Sequence, residues 1–132
     1  MKKHKTEHRV SYKETDQMKV VYYSNYLVWF EIARTEFFRD SGLNYRTIEE
    51  EDKIYLPVIE AECRYRAPVR YDDLVTIETE LSGIEGTRVI FEYKVSVDGQ
   101  VKATGRTRHV FVNDKSKPIP VPEKIRKALS DR

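Results

Sequence analysis

The chain has 132 residues, with 24 Lys and Arg against 22 Asp and Glu, and its net charge of +2 gives no general attraction to nucleic acid or to anionic membranes. This length fits a single domain over residues 1–132, whose core needs no disulfide or metal. Because Cys63 is the single cysteine and no signal segment or long apolar run is present, we expect a cytoplasmic protein without a membrane span.

The first forty residues predict a short strand, a polar loop and one long helix. Residues 7–12 alternate weakly and favour a strand, which ends where Lys13 to Asp16 turns polar. Apolar residues from Tyr26 to Phe38 run too long for one strand and predict the main helix. Its first two turns are apolar nearly all round, which predicts burial on most sides.

Polar residues mark the ends of this helix. Ser24 is the preferred N-cap, with Asn25 as the alternative, and Ser41-Gly42 supplies a C-terminal stop. Residues 44–52 then predict a short second helix, which the acidic run at its end would fray.

The second half of the chain has the two-residue period of strands. Strands are expected at 54–65, 75–81, 89–97 and 101–111. A change of phase predicts a bulge near Pro57, and Asp98-Gly99 predicts a tight hairpin turn. After three prolines, residues 123–129 form an amphipathic pattern that favours a final helix.

This order of elements predicts an α+β fold with a five-stranded antiparallel sheet. The strands alternate polar and apolar residues, so the sheet needs a cover on one face only. The aromatic helix is the expected cover.

Asp16 lies in the polar loop just before the apolar helix. A carboxylate near a helix start faces unpaired backbone N–H groups and the positive end of the helix dipole, an arrangement that can bind or polarise an oxygen-bearing group. An ordinary turn or cap residue is the alternative interpretation.

A series of stretches carries a more specific pattern: Arg9-Val10, Thr15-Asp16, Val20–Tyr22, Ser24–Leu27, Phe30-Glu31, Ala33–Glu36 and Tyr65–Asp73. In these stretches the sequence resembles the hotdog-fold acyl-CoA thioesterases of the 4-hydroxybenzoyl-CoA thioesterase family. The Thr15-Asp16 loop with its helix is the most specific part of the likeness.

The resemblance implies a hotdog fold, in which a curved antiparallel sheet wraps the long helix. It also implies an acyl-CoA substrate and a homo-oligomer, a dimer or a homotetramer, whose subunits pair edge to edge with the active site at their interface. By the same resemblance, Asp16 is the catalytic carboxylate, acting as nucleophile or as general base. The backbone amide of Tyr23 is the oxyanion donor, with Ser24 as a possible second donor.

Coenzyme A carries phosphates, so basic residues on the strands are candidate binding groups. Arg66, Arg106 and Arg108 are the predicted substrate-binding arginines, and an ordinary solvated sheet face is the alternative. Glu31 and Arg34 are spaced to pair with each other on the main helix. His109 shares its strand face with Phe111, which favours a core or interface histidine.

Lys19 departs from the family pattern, which usually has Gly or Asn at this position. That preference suggests a left-handed backbone, where a Lys would cost roughly 1 kcal/mol or adopt a different turn.

Other functions are less well supported by the sequence. One Cys and three scattered His predict no metal site, and there is no Gly-x-Ser-x-Gly elbow or glycine-rich phosphate loop, so no cofactor is expected. A non-catalytic module that binds acyl-CoA or an acyl carrier is the main alternative. A hotdog-type hydratase is disfavoured, because no His follows the loop Asp in a suitable setting.

Overall fold

The computed structural model describes residues 2–130. Its elements, in chain order, are β1 (Lys3–Arg9), a 3-10 turn (Tyr12–Glu14), α1 (Asn25–Asp40), α2 (Tyr45–Glu50), β2 (Val58–Tyr65), β3 (Leu74–Glu85), β4 (Arg88–Val97), β5 (Gln100–Val110) and α3 (Glu123–Ser130). The five strands form one antiparallel sheet in the order β1-β3-β4-β5-β2. The predicted α+β fold is confirmed.

The first strand differs from its predicted range. β1 begins at Lys3, where it pairs with Glu80, and it ends at Arg9 opposite Leu74. Val10 and Ser11, which were predicted to continue the strand, lie outside it, and Tyr12 begins the 3-10 turn, where the Ser11 N–H binds the Glu14 carboxylate at 2.8 Å. This local bond turns the backbone away from the ladder.

Helix α1 begins and ends where predicted and has Ser24 at the predicted N-cap position, but the expected side-chain cap is missing. Ser24 has helical dihedral angles, φ −69° and ψ −20°, and its side chain makes no capping hydrogen bond. The Asn25 side chain instead donates from Nδ2 to the Glu14 carbonyl at 2.9 Å, which fastens the loop to the helix start. At the start of α2 the Asn44 side chain does act as a cap, accepting from the Thr47 N–H at 3.1 Å.

The first two turns of α1 are not buried on most sides. Leu27 and Val28 remain 42% and 49% exposed, and Ile32, one turn further along, is 38% exposed. Only the opposite side of the helix, with Trp29 and Phe30, faces the sheet. These apolar residues are partly open to solvent in the single chain.

Close packing of α1 on the sheet depends on a glycine. The Phe30 ring stacks on Tyr93 of β4, with centroids 4.3 Å apart. Phe30 also covers Gly105 of β5, where an added Cβ would lie 2.3 Å from the ring. The helix therefore approaches β5 more closely than any larger residue at this position would allow.

A chain of polar groups crosses the interior under the helix. Arg34 of α1 is 7% exposed and donates to the Tyr93 hydroxyl at 3.0 Å, so its predicted pairing with Glu31 is wrong. Tyr93 shares a hydrogen bond with Thr107 at 2.6 Å, and Thr107 lies 2.9 Å from His109 Nε2. His109 is fully buried, which confirms the prediction of a core histidine.

Strand β2 forms one edge of the sheet, with β5 on its other side. Its register on β5 shifts between Val58 and Glu60, which confirms an irregularity near Pro57. Along its length only Cys63 is half-buried and the other residues are exposed on both faces. Within residues 2–130, no helix combines the length and the apolar character needed to cross a membrane.

Candidate active site

The Asp16 loop is a tight turn whose shape is set by the backbone and one carboxylate oxygen. The Asp16 N–H donates to the Val20 carbonyl, and the Lys19 N–H donates to the Asp16 carbonyl, both at 2.9 Å. The Met18 N–H donates to Asp16 Oδ1 at 2.8 Å. No group within residues 2–130 donates to Oδ2, so one oxygen of this half-buried carboxylate is open for chemistry.

Lys19 adopts the left-handed conformation, with φ of +67°. The backbone at this position therefore follows the glycine-favouring conformation, and Lys bears the conformational cost of roughly 1 kcal/mol. Its exposed side chain takes no part in holding the turn. The next residues dock the turn on the loop before β3, because the Val21 N–H donates to the Val69 carbonyl at 2.8 Å.

At the start of α1, two successive backbone N–H groups are open. The Tyr22 N–H donates to the Glu14 carbonyl at 2.9 Å, and the Asn25 N–H donates to the Tyr22 carbonyl at 3.0 Å. Between them, the N–H groups of Tyr23 and Ser24 donate no hydrogen bond to any group in the described chain. Ser24 is at the N-cap position of α1 and Tyr23 directly precedes it, so both open N–H groups lie at the N-terminal end of the helix.

The Tyr23 carbonyl is held in place by a neighbouring strand. The Tyr65 hydroxyl at the end of β2 donates to this carbonyl at 3.1 Å. Partial burial and the neighbouring Cys63 raise the pKa of Tyr65 to about 12, so the hydroxyl stays a donor at neutral pH. The Tyr23 ring is 60% exposed and lies against Tyr22, with centroids 4.6 Å apart. The peptide on either side of Tyr23 is thus oriented while its ring stays at the surface.

The predicted arginines lie apart from this loop. Arg66 and Arg106 line an open cavity of about 600 Å³ on the sheet face opposite α1, whose lining does not include Asp16, Tyr23 or Ser24. Arg106 donates to Glu92 at 2.9 Å, and Arg108 lies 3.3 Å from Glu60. The structure therefore groups Asp16, Tyr23 and Ser24 together and places the arginines elsewhere on the sheet. A role of the arginines in substrate binding stays a prediction.

Glu14 is a largely covered acidic residue, with 12% of its side chain exposed, that the sequence interpretation missed. Burial alone would raise its pKa, but hydrogen bonds from Trp29, His8 and Ser11 outweigh this effect and hold the pKa below its ordinary value. The signal in the sequence was Ser11-Tyr12-Lys13-Glu14, which has the spacing of a capping box. Among residues 2–130, no group of three His, Cys, Asp or Glu side chains has the arrangement of a metal site.

The chain matches the family model of the Thioesterase-like superfamily over residues 10–129. It is 33% identical over 129 residues to the protein named putative acyl-CoA thioesterase YneP from Bacillus subtilis (strain 168), a match that covers 96% of this chain and 90% of that protein. It is 34% identical over 123 residues to the protein named acyl-CoA thioesterase YbgC from Haemophilus influenzae, covering 92% and 90%.

The crystal structure of hypothetical protein TT1821 from Thermus thermophilus has the same fold, with a TM-score of 0.90, 36% identity and 96% coverage of both chains. A five-stranded antiparallel sheet with one long helix is the architecture of the hotdog thioesterase structures that this chain matches. The chain belongs to the Thioesterase-like superfamily. The predicted family and fold are confirmed.

Proposed function

We propose that this chain is an acyl-CoA thioesterase that hydrolyses a thioester to a free carboxylic acid and coenzyme A. Relatives named acyl-CoA thioesterase, at 33% and 34% identity, support this reaction. The observation that carries the proposal is the presence, in one loop, of a half-buried carboxylate with an open oxygen at Asp16 and of open N–H groups at Tyr23 and Ser24.

The Tyr23 N–H is the proposed donor to the thioester oxygen, with the Ser24 N–H beside it. Negative charge develops on this oxygen when the carbonyl carbon is attacked, and donors already oriented towards it lower the barrier. Neither N–H has a partner within residues 2–130, so no internal bond must break to free them. One such donor is worth about 3 kcal/mol in other acyl-transfer enzymes.

Asp16 is the proposed catalytic carboxylate, by one of two routes. As nucleophile, it attacks the carbonyl carbon, the carbon–sulfur bond breaks, and water then hydrolyses the resulting anhydride. As general base, it takes a proton from the water that attacks the carbon directly, and coenzyme A leaves as the thiol. Both routes use the oxygen that the Met18 N–H leaves free.

Arg66, Arg106 and Arg108 are the proposed partners of the coenzyme A phosphates. Arg66 directly follows Tyr65, whose hydroxyl contacts the Tyr23 carbonyl, although its own side chain lines the cavity on the other face of the sheet. In addition, Arg66 forms no ion pair within the described chain, whereas Arg106 and Arg108 are paired with glutamates that a phosphate would have to displace.

A homo-oligomer with its active site at the subunit interface is also part of the proposal, and the free edge of β2 supports it. Glu60, Glu62, Arg64 and Arg66 follow one another at alternate positions. In an antiparallel pair of two copies centred on Cys63, Glu62 of one copy lies opposite Arg64 of the other, so opposite charges meet at the centre of the contact. The exposed Leu27, Val28 and Ile32 add apolar area for a further contact. A monomeric mass at assay concentration would contradict this part of the proposal.

The reaction is tested by release of free thiol from a panel of short, long and aromatic acyl-CoA thioesters. On the best substrate, Asp16→Asn is expected to lower kcat about 10²- to 10⁴-fold, because the amide can neither attack nor take a proton efficiently. Asp98→Asn is the matched control, since Asp98 lies in the exposed β4–β5 turn with φ of +50°, which Asn tolerates. It should keep kcat within about twofold of the wild type.

Two outcomes would reject the proposal. A folded Asp16→Asn protein with full turnover would remove Asp16 from the mechanism. If no thioester in the panel releases thiol above background while several bind, the chain is a non-catalytic acyl-CoA or acyl-carrier binding module.

A further inference from the structure

Glu14 joins three segments of the chain through its carboxylate. The His8 ring on β1 lies with Nε2 3.0 Å from both carboxylate oxygens. Trp29 of α1 donates from Nε1 to Oε2 at 2.9 Å, and the Ser11 N–H donates to Oε1 at 2.8 Å. The side chain is only 12% exposed, so these bonds lie in a region of low dielectric constant, where they fix its position firmly.

The carbonyl group of the same residue holds the other end of the loop. It accepts from the Tyr22 N–H at 2.9 Å and from the Asn25 side chain at 2.9 Å. These two donors lie immediately before and after Tyr23-Ser24, whose N–H groups are open. Glu14 itself is two residues before Asp16. The proposed carboxylate and the proposed oxyanion donors are therefore both positioned relative to this one residue.

We propose that Glu14 is a positioning residue for thioester hydrolysis: its carboxylate anchors it to β1 and Trp29, and its carbonyl sets the distance between Asp16 and the Tyr23 N–H. This inference rests on the proposed function. Glu14 acts through the other groups, because its own carboxylate oxygens are occupied by His8, Trp29 and Ser11.

Catalysis is more sensitive than binding to such positioning, because a misplacement of about 1 Å can cost about 10²-fold in rate. Loss of the anchor should therefore lower kcat and leave KM nearly unchanged. A residue that only stabilises the fold would lower the melting temperature but leave the kcat of the folded fraction at the wild-type value.

The test compares Glu14→Ala with Glu14→Gln. Alanine removes all three side-chain contacts, and kcat should fall about tenfold or more with KM within about threefold. Glutamine keeps one acceptor oxygen, which can accept from Trp29 but not also from Ser11, because these two groups contact different oxygens of Glu14, so it should recover only part of the lost kcat. Glu50→Gln is the control, since Glu50 is in an exposed ion pair with Arg46.

The fluorescence of Trp29 gives a readout that does not depend on activity. Trp29 is the only tryptophan in the chain, it is fully buried, and its N–H binds Glu14. Its emission should shift and its quenching by acrylamide should rise in Glu14→Ala, whereas Glu14→Gln and Glu50→Gln should resemble the wild type.

A second variant covers the case in which Glu14→Ala does not fold. Asn25→Ala removes only the side-chain bond to the Glu14 carbonyl, and it should lower kcat about threefold or more at nearly constant KM. Wild-type kcat in folded Glu14→Ala, or in Asn25→Ala if the first variant does not fold, overturns the inference. An equal loss of kcat in Glu14→Gln and Glu14→Ala, with the Trp29 emission of Glu14→Gln unchanged, also overturns it, because kcat would then fall while the contact between residue 14 and Trp29 is intact.

The Asp16→Asn result separates this inference from the proposed function. If Asp16→Asn is inactive and Glu14→Ala has wild-type kcat, only the role of Glu14 is lost. If Asp16→Asn keeps full turnover, the proposed mechanism fails, and the positioning role fails with it.

Discussion

Two polar regions of the molecule differ in what they leave unpaired. In the interior, the chain from Arg34 through Tyr93 and Thr107 to His109 is sealed between α1 and the sheet, and nearly every group along it has a partner. In the loop before α1, Asp16 has an oxygen without an internal donor, and the Tyr23 N–H has no acceptor in the described chain. The first region is polar but closed, and the second is open.

The comparison shows that polarity and burial alone do not identify a reactive site. The interior region has a buried arginine and a histidine whose pKa is lowered to about 4, features that often mark catalytic sites. Its hydrogen bonds, however, are made to its own side chains and to the Leu56 carbonyl. We therefore expect changes in the interior to alter stability and changes in the loop to alter turnover.

The largest effect on stability is expected from Gly105→Ala. The new Cβ would lie 2.3 Å from the Phe30 ring and 3.0 Å from the Glu62 carbonyl oxygen, so helix or strand must move. We expect a loss of about 3 kcal/mol in urea unfolding, with the kcat of the folded protein little changed. Gly83→Ala is the control, since its Cβ would meet Ile90 at an ordinary 3.4 Å. Equal stability of the two variants would contradict the close approach of α1 to β5.

A smaller effect on stability is expected from the titration of His109. Burial, followed by the charge of Arg34, lowers its pKa to about 4 in the folded state, against about 6.5 in the unfolded chain. Between these values the unfolded state binds more protons, so stability falls as the pH drops from 6.5 towards 4. The loss between pH 7 and pH 5 is about 2 kcal/mol.

Urea unfolding of the wild type and His109→Gln at both pH values measures this contribution. The variant should lose about 2 kcal/mol less than the wild type between pH 7 and pH 5. Identical losses would mean that His109 is not held neutral in the folded state, and the interior would then not be closed to protons.

The smallest effect on stability is expected from a substitution in the Asp16 loop, at Lys19. Lys19→Gly should stabilise the protein by up to about 1 kcal/mol, because glycine adopts the φ of +67° without strain. Lys19→Ala removes the same side chain but keeps the strain, so it should give no gain. The melting temperature reports the difference, at about 4 °C per kcal/mol for a domain of this size. An equal gain in both variants would assign the effect to the Lys side chain instead.

Patterns local in sequence could be predicted, and contacts between distant segments could not. The apolar run that defines α1 and the Asp98-Gly99 turn depend on neighbouring residues, and both were predicted correctly. β1 was predicted too late because Lys3–Arg9 has too few apolar residues to show the strand period, and only pairing with β3 makes it a strand.

The predictions about the site divide in the same way, into local patterns that were found and distant contacts that were missed. Asp16 and Tyr23 could be chosen because they share one short motif, and the left-handed backbone at Lys19 could be anticipated from the residue types that the family prefers. Glu14 was missed because its partners His8 and Trp29 come together only in the folded chain. Arg34 was assigned to Glu31 because spacing on a helix does not say which side faces the sheet.

Strand β2 has a consequence for how activity would respond to dilution. Its outer edge is the surface on which a second copy would pair, and its last residue, Tyr65, holds the Tyr23 carbonyl at 3.1 Å. If subunits exchange along this edge, mass action couples protein concentration to the geometry of the loop. Turnover per subunit would then decrease when the protein concentration drops below a threshold. A saturating thioester, which binds the assembled form, would lower that threshold concentration.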